Sequence, residues 1–430
     1  MRVMYGRRRI LSLGAAATMA APIRLRAQGP VDLDCIIIGA GAAGIAAARA
    51  LTGWGYAIAV LEARGRVGGR AWTSAKALGL PWDRGAQWLH NGRDNPLWTI
   101  ARRTGRDLIW SDFENMQVSG AKAAQAAFFA ALDALDERID RAAARANGTM
   151  RLNTLLQGDP WADAALILSA MSIGGDPEQI SLTDAAMMES GQDALVAGGP
   201  GGLLGALAEG LPIHRGHVVR AIDMRAADHL VVSGDFGQLS ARAVLVTVPP
   251  MLLAQGALTV TPHLSDRHLA AFSALGPADF VKVGLRLPEM AQGGAEFAVD
   301  PSSLLAGQGA LLHLDPRAPL ASVIFAGAYG RGLAATGPAG LVAAAQAVLH
   351  QHTGQRAIAA DTHDWRNDPF SGGTWALLQP GAASARQDYV TPVDDRLFFA
   401  GEAAPGPFAT TLGGAWLSGL AAAEAMDAAI

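Results

Sequence analysis

Cysteine is almost missing: Cys35 is the single thiol in 430 residues, which excludes a disulfide framework and any cysteine-rich zinc or iron–sulfur site. Charge is scarce at 17% and aromatic residues make up 6%, so Ala and Gly carry much of the 50% apolar content. That much apolar surface with so little charge rules out a disordered chain and suffices for a large core. Basic residues do not outnumber acidic ones, 34 against 38, so the basic face that nucleic acid requires is lacking. No His/Asp/Glu group has the spacing of a metal site, and no G-x-S-x-G turn occurs, so metal-centred and serine-hydrolase chemistry have no basis.

Residues 1–27 read apart from the rest. Arg2, Arg7, Arg8 and Arg9 precede a weakly apolar run over 10–23, and Arg24-Leu25-Arg26-Ala27 closes the segment without one acidic residue. A basic start, a short apolar middle and a small final residue form the pattern of an export signal. The run is too short and too rich in Ala and Gly to span a membrane. The adjacent arginines before Ile10-Leu11 resemble a twin-arginine signal, which implies the twin-arginine export machinery and a periplasmic or otherwise exported location. Without this segment 28 basic residues face 38 acidic ones, a net charge of −10 that favours a cationic partner.

A nucleotide-binding pattern follows. The run DCIII at 34–38 predicts a buried strand, Gly39-Ala40-Gly41-Ala42-Ala43-Gly44 a tight turn, 45–51 a helix, and 57–61 a second strand ending at Glu62. In such a unit Gly39 makes the turn, Gly41 admits a pyrophosphate against the backbone, and Gly44 lets the helix pack on the strand. The helix N-terminus favours anionic phosphate, and Glu62 accepts from ribose hydroxyls. Cys35, inside the first strand, reads as a small core residue.

The segment after Glu62, Ala63-Arg64-Gly65-Arg66-Val67-Gly68-Gly69-Arg70, resembles the signature of the FAD-dependent amine oxidase family, which includes monoamine and polyamine oxidases. Asp83-Arg84-Gly85-Ala86-Gln87-Trp88-Leu89-His90 resembles the next block of that family. So do His217-Val218-Val219-Arg220, the strand 243–248 before Pro249-Pro250, the lysine strand Phe280-Val281-Lys282-Val283, Trp365 with the DPFSGGTW run 368–375, Leu397-Phe398-Phe399-Ala400-Gly401-Glu402, and Thr410-Thr411-Leu412-Gly413-Gly414 opening a last helix. These blocks run in order from 34 to 430.

The resemblance implies an α/β fold: a Rossmann-like FAD-binding domain from 31–100, 195–265 and 385–430, with an inserted α+β substrate domain from 101–194 and 266–384. It implies FAD held by Gly39, Ala40, Gly41, Ala43, Gly44, Glu62, Ala63, Arg64, Gly69, Arg70, Gln87, Trp88, Val219 (through its backbone at the adenine), Trp365, Gly401, Glu402, Thr411 and Leu412. Thr374 stands where monoamine oxidases attach flavin through cysteine, so FAD is expected to be non-covalent. On the reacting side it implies Lys282 acting through a water on flavin reoxidation, Trp375 as one wall of an aromatic cage, Thr411 where a second aromatic wall stands in monoamine oxidases, and His90 beside the substrate. Asp94 is a candidate carboxylate for a distal ammonium. The expected reaction takes a primary or secondary amine, polyamine or monoamine-like, to an imine that water hydrolyses, and oxygen or another acceptor regenerates the flavin. An L-amino-acid oxidase and a non-catalytic flavin-binding or electron-transfer protein stay open as alternatives.

Elsewhere the apolar spacing of Phe128, Leu132, Leu135 and Ile139 predicts one helix over 121–146. Helices are also expected at 160–173, 202–209 and 341–349, a loop at 198–202, and a strand at 321–329. The last helix, over 415–430, carries Glu424 and Asp427, so the C-terminal anchor of mitochondrial relatives is expected to be absent.

Overall fold

A computed structural model describes residues 33–430 except 112, 114, 147, 189–190 and 292–294. The segment 1–27 read as an export signal lies outside the described residues.

The largest sheet has eight strands drawn from three distant parts of the chain. Leu33–Ile38 lies at its centre, parallel to Ile58–Glu62 on one side and to the second half of Gly237–Val246 on the other. The long strand Gly237–Val246 has two neighbours in succession. Its first half pairs antiparallel with Leu230–Gly234, and its second half pairs parallel with Leu397–Phe399. The central strand is apolar on both faces, and Cys35, Ile36 and Ile37 are fully buried, as a parallel strand covered on both sides requires. One face is covered by the helices Ala42–Gly53 and Leu412–Ala429, which pack on each other so closely that a Cβ on Gly419 would meet the Ala43 carbonyl. Burial, then Asp34, pushes the Cys35 thiol up to about 12, which leaves it inert.

A second sheet of six strands is antiparallel except for one edge pair, and Phe280–Arg286 lies next to one edge, between Leu320–Ala326 and Ala359–Thr362. One set of its side chains packs on the long helix Gly337–Thr353. Another meets Lys122–Asp133 and Pro160–Ile173, where Phe128, Met171, Phe297 and Ile324 share a core.

The helix expected over 121–146 is two, Lys122–Asp133 and Leu135–Ala143. Its apolar stripe serves two cores: Phe128 and Leu132 join the one beneath the second sheet, whereas Leu135 and Ile139 join another with Leu152 and Ile180. Chain reversal within 321–329 is also sharper than expected. The strand Leu320–Ala326 ends at Gly327, with φ +62°, and a helix starts there. The glycine cluster read as a loop holds the start of Gly199–Leu207 instead, because Pro200 suits a first turn. The last helix begins three residues earlier than expected, at Leu412.

Candidate active site

A cavity of about 600 Å³ extends from the dinucleotide turn to the second sheet. Of the site residues expected from the sequence, all line it except Asp94, which stands apart from it, and Ala40 and Gly44, which act behind its wall. The Ala40 N–H donates to Glu62 Oε2 at 2.8 Å, and a Cβ on Gly44 would stand 1.9 Å from the Gly39 carbonyl oxygen. Gly39 adopts φ +107°, a conformation that costs side-chain-bearing residues, and Gly41 faces open space with nothing within 4 Å of an added Cβ. The helix Ala42–Gly53 starts at Gly41 without a side-chain cap, so its first N–H groups are left to a ligand. Glu62 turns its second oxygen to the Arg64 N–H at 2.8 Å, which joins turn, strand end and the following loop.

The arginines of that loop cross-link the chain. Arg64 makes a fork with Asp368 and reaches Ser371 Oγ at 2.9 Å; Arg70 donates to the Thr374 carbonyl and to Glu402, both at 2.8 Å. Burial works against the Asp368 charge, but its bonds with His363 and Arg64 hold the carboxyl well below the ordinary range. These guanidiniums tie the cradle to the segments 365–375 and 402, and what remains for a pyrophosphate is bare backbone. A dinucleotide with its phosphates on the N–H donors of the helix end and its ribose hydroxyls on the Glu62 acceptor fits this arrangement.

At the other end the walls are aromatic. The Trp375 ring stands 4.7 Å, centre to centre, from Phe280, and its Nε1 donates to the Ile173 carbonyl at 2.8 Å. Ile324, Leu311 and Met171 add apolar surface. Thr411 caps the last helix, accepting from the Gly414 N–H at 3.0 Å and donating to the Phe408 carbonyl at 2.7 Å. Its hydroxyl is thus committed to local structure while the residue borders the cavity.

Lys282 is 6% exposed, and its Nζ donates to the Gly85 carbonyl at 2.8 Å and to Gln87 Oε1 at 2.9 Å. Burial lowers its proton affinity, the Asp83 carboxylate partly restores it, and burial in turn raises the Asp83 carboxyl.

His90 has a partner that no local motif announces. The strand Trp88–Leu89 runs antiparallel to Ala194–Val196, with Leu89 opposite Ala194, and this register brings Asp193 to His90. Asp193 Oδ2 lies 2.8 Å from His90 Nδ1, and both line the cavity. Burial alone would lower the His90 pKa; the Asp193 charge and hydrogen bond outweigh it and raise it. Asp94 is instead exposed in a short turn and borders no part of the cavity; the carboxylate that borders it beside His90 is that of Asp193. Phe280 was also missed, although it lies two residues before Lys282 and so on the same side of that strand.

Comparison with known proteins fits these donors. A family model described as flavin containing amine oxidoreductase matches residues 42–119 and 121–427. The chain is 28% identical over 440 residues to lysine-specific histone demethylase 2 of Homo sapiens, covering 91% of this chain and 53% of that protein. It thus spans about half the length of that relative. It is 27% identical to polyamine oxidase 5 of Oryza sativa subsp. japonica, covering 90% of this chain and 86% of that one. In fold it resembles putrescine oxidase bound to putrescine, at TM-score 0.79 and 20% identity over 92% of this chain and 99% of that one. Cyclohexylamine oxidase from Brevibacterium oxydans gives 0.77 at 22% identity, over 92% and 98%. With the family matched over nearly all of the described chain and the cradle shaped for a dinucleotide, this protein belongs to the flavin-containing amine oxidoreductase family, with FAD as its cofactor.

Proposed function

We propose that this chain oxidises a primary or secondary amine to an imine, which water then hydrolyses, and that its preferred amines carry a second cationic group. The observation that carries the reading is one cavity holding the Trp375–Phe280 aromatic wall, Lys282 and the His90–Asp193 pair. Bound FAD supplies the hydride acceptor, and the protein supplies position and charge. The aromatic and aliphatic wall disfavours the ammonium form of the reacting nitrogen, leaving the free amine that oxidation needs. Asp193, at the side of the same cavity, offers a carboxylate to a cationic group further along the substrate. Lys282 keeps a third donor beyond its two protein acceptors and is assigned to the return of electrons to oxygen or another acceptor. The non-covalent mode of FAD fits Thr374 and the burial of Cys35.

An L-amino-acid oxidase needs an arginine free to clamp the substrate carboxylate. Of the arginines bordering the cavity, Arg64, Arg70 and Arg84 each face a carboxylate within 3.0 Å, and Arg220 lies at the Val219 end. This argues for the amine. The division into a discontinuous FAD-binding domain and an inserted substrate domain belongs to the same proposal, as does export through the twin-arginine route, which rests on residues 1–27. Among the described residues no helix is long and apolar enough to cross a membrane.

Anaerobic bleaching of the flavin tests the function. Diamines are expected to bleach it faster than monoamines of equal length, and hydrogen peroxide is expected on admission of air. Bleaching by L-amino acids alone would overturn the reading.

A further inference from the structure

Lys282 ends a line of buried polar side chains that amine oxidation as proposed leaves unused. Gln87 Oε1 accepts from Lys282 Nζ, Gln87 Nε2 lies 3.0 Å from His313 Nδ1, and His313 Nε2 lies 3.1 Å from Glu296 Oε1. His313 is 1% exposed and lies between the Trp88 and Phe297 rings, at 5.1 and 5.0 Å. The strand pairing of Phe297 with His313 sets Glu296 beside it.

The line has one consistent sense. An ammonium only donates, so the amide of Gln87 must present oxygen to Lys282 and its NH2 to His313. Nδ1 of His313 must then be bare, which puts the ring proton on Nε2, aimed at a carboxylate that only accepts. Reversal of the Gln87 amide would set an NH2 group against the ammonium, and in this buried setting an unmatched donor has no water to turn to. We propose that Glu296 and His313 are positioning residues: they fix the ring tautomer, hence the orientation of the Gln87 amide, and so keep the Lys282 ammonium protonated and directed at the cavity. The inference takes from the proposed function only that Lys282 borders the reacting end, and its readout needs no turnover.

The sequence makes the test clean, because Lys76, Lys122 and Lys282 are its only lysines and the first two are exposed. In FAD-loaded protein labelled at lysine Cε with carbon-13, Lys282 is expected to titrate below the other two. His313→Phe changes no formal charge, keeps the aromatic packing and leaves Asp83 in place; it should lower Lys282 proton affinity about tenfold, as loss of a hydrogen bond to the charged form does. His313→Gln, which can accept from Gln87 and donate to Glu296, should restore it. An unchanged Lys282 titration in His313→Phe would mean that the ring only fills space and would overturn the proposal. Nitrogen-15 spectra of the histidines give a second reading. Wild-type His313 should carry its proton on Nε2, and Glu296→Gln, the variant to use where His313→Phe fails to fold, should lower Lys282 proton affinity because the charge that anchors that proton is gone. A proton on Nδ1 in the wild type, or an unchanged Lys282 titration in Glu296→Gln, would likewise overturn it. Failure of every amine to bleach the flavin, with these titrations as expected, would count against the function alone.

Discussion

The two ends of the cavity are built in opposite ways. At the dinucleotide end the chain offers backbone: Gly39, Gly41 and an uncapped helix start, while the nearby Arg64 and Arg70 are matched to Asp368 and Glu402. At the end proposed for the amine it offers side chains: Trp375, Phe280, Lys282 and the His90–Asp193 pair, from separate segments. Backbone recognition suits a ligand that never changes, and side-chain recognition suits one on which selectivity depends.

The sharpest break in this contrast is expected at the cradle glycines. Gly44→Val would force a side chain into the Gly39 carbonyl, costing about 3 kcal/mol or more in folding. Thermal melting should fall and flavin should be lost together. Gly41→Ala, facing open space, should leave the melting temperature of flavin-free protein unchanged and weaken FAD binding by about tenfold, or ~1.4 kcal/mol. Equal melting losses in both would erase the distinction between packing glycine and cradle glycine.

Next in size is Lys282→Met. Reoxidation of the reduced protein by oxygen, followed by stopped flow, should slow about hundredfold, the magnitude typical of losing a preorganised charge, while anaerobic reduction by amine changes little. An equal loss in both half-reactions would place Lys282 in substrate binding instead.

Asp193→Asn should raise KM for diamines about tenfold and leave monoamines of the same length nearly unaffected, which tests the carboxylate at the amine end. A pH dependence follows with a definite sign. Below the raised His90 pKa the pair is net neutral; above it His90 is neutral and Asp193 keeps its charge. Diamine affinity should therefore rise with pH through a midpoint above about 6.5, the ordinary histidine value, and Asp193→Asn should abolish that limb. The smallest effect is expected for Trp375→Phe, which keeps the wall and loses the bond to the Ile173 carbonyl, about 1 kcal/mol and a several-fold loss in kcat/KM.

The same contrast explains what was legible in the sequence. The cradle is written within 39–70, where one run of glycines and one acid carry the geometry, so its elements could be read locally. Lys282, Trp375 and Thr411 were accessible only through resemblance, since no local rule separates them from core residues. Asp193 was invisible: its place beside His90 comes from the register of two short strands about a hundred residues apart, and the solvent-facing Asp94 offered itself nearer in sequence. The split of 121–146 into two helices escaped for a related reason, because one periodic stripe can serve two cores and only tertiary packing decides where it breaks.

The long strand Gly237–Val246 with its two successive neighbours has a consequence for biosynthesis. The turn that holds the cofactor leaves the ribosome early, but its sheet gains Leu397–Phe399 and its helix gains Leu412–Ala429 only when nearly all of the chain has been made. At about 5–20 residues per second, the interval from residue 62 to residue 412 is roughly 20–70 s. During that time the nascent glycine turn has no finished support, so flavin loading is expected to follow completion of the polypeptide rather than precede it.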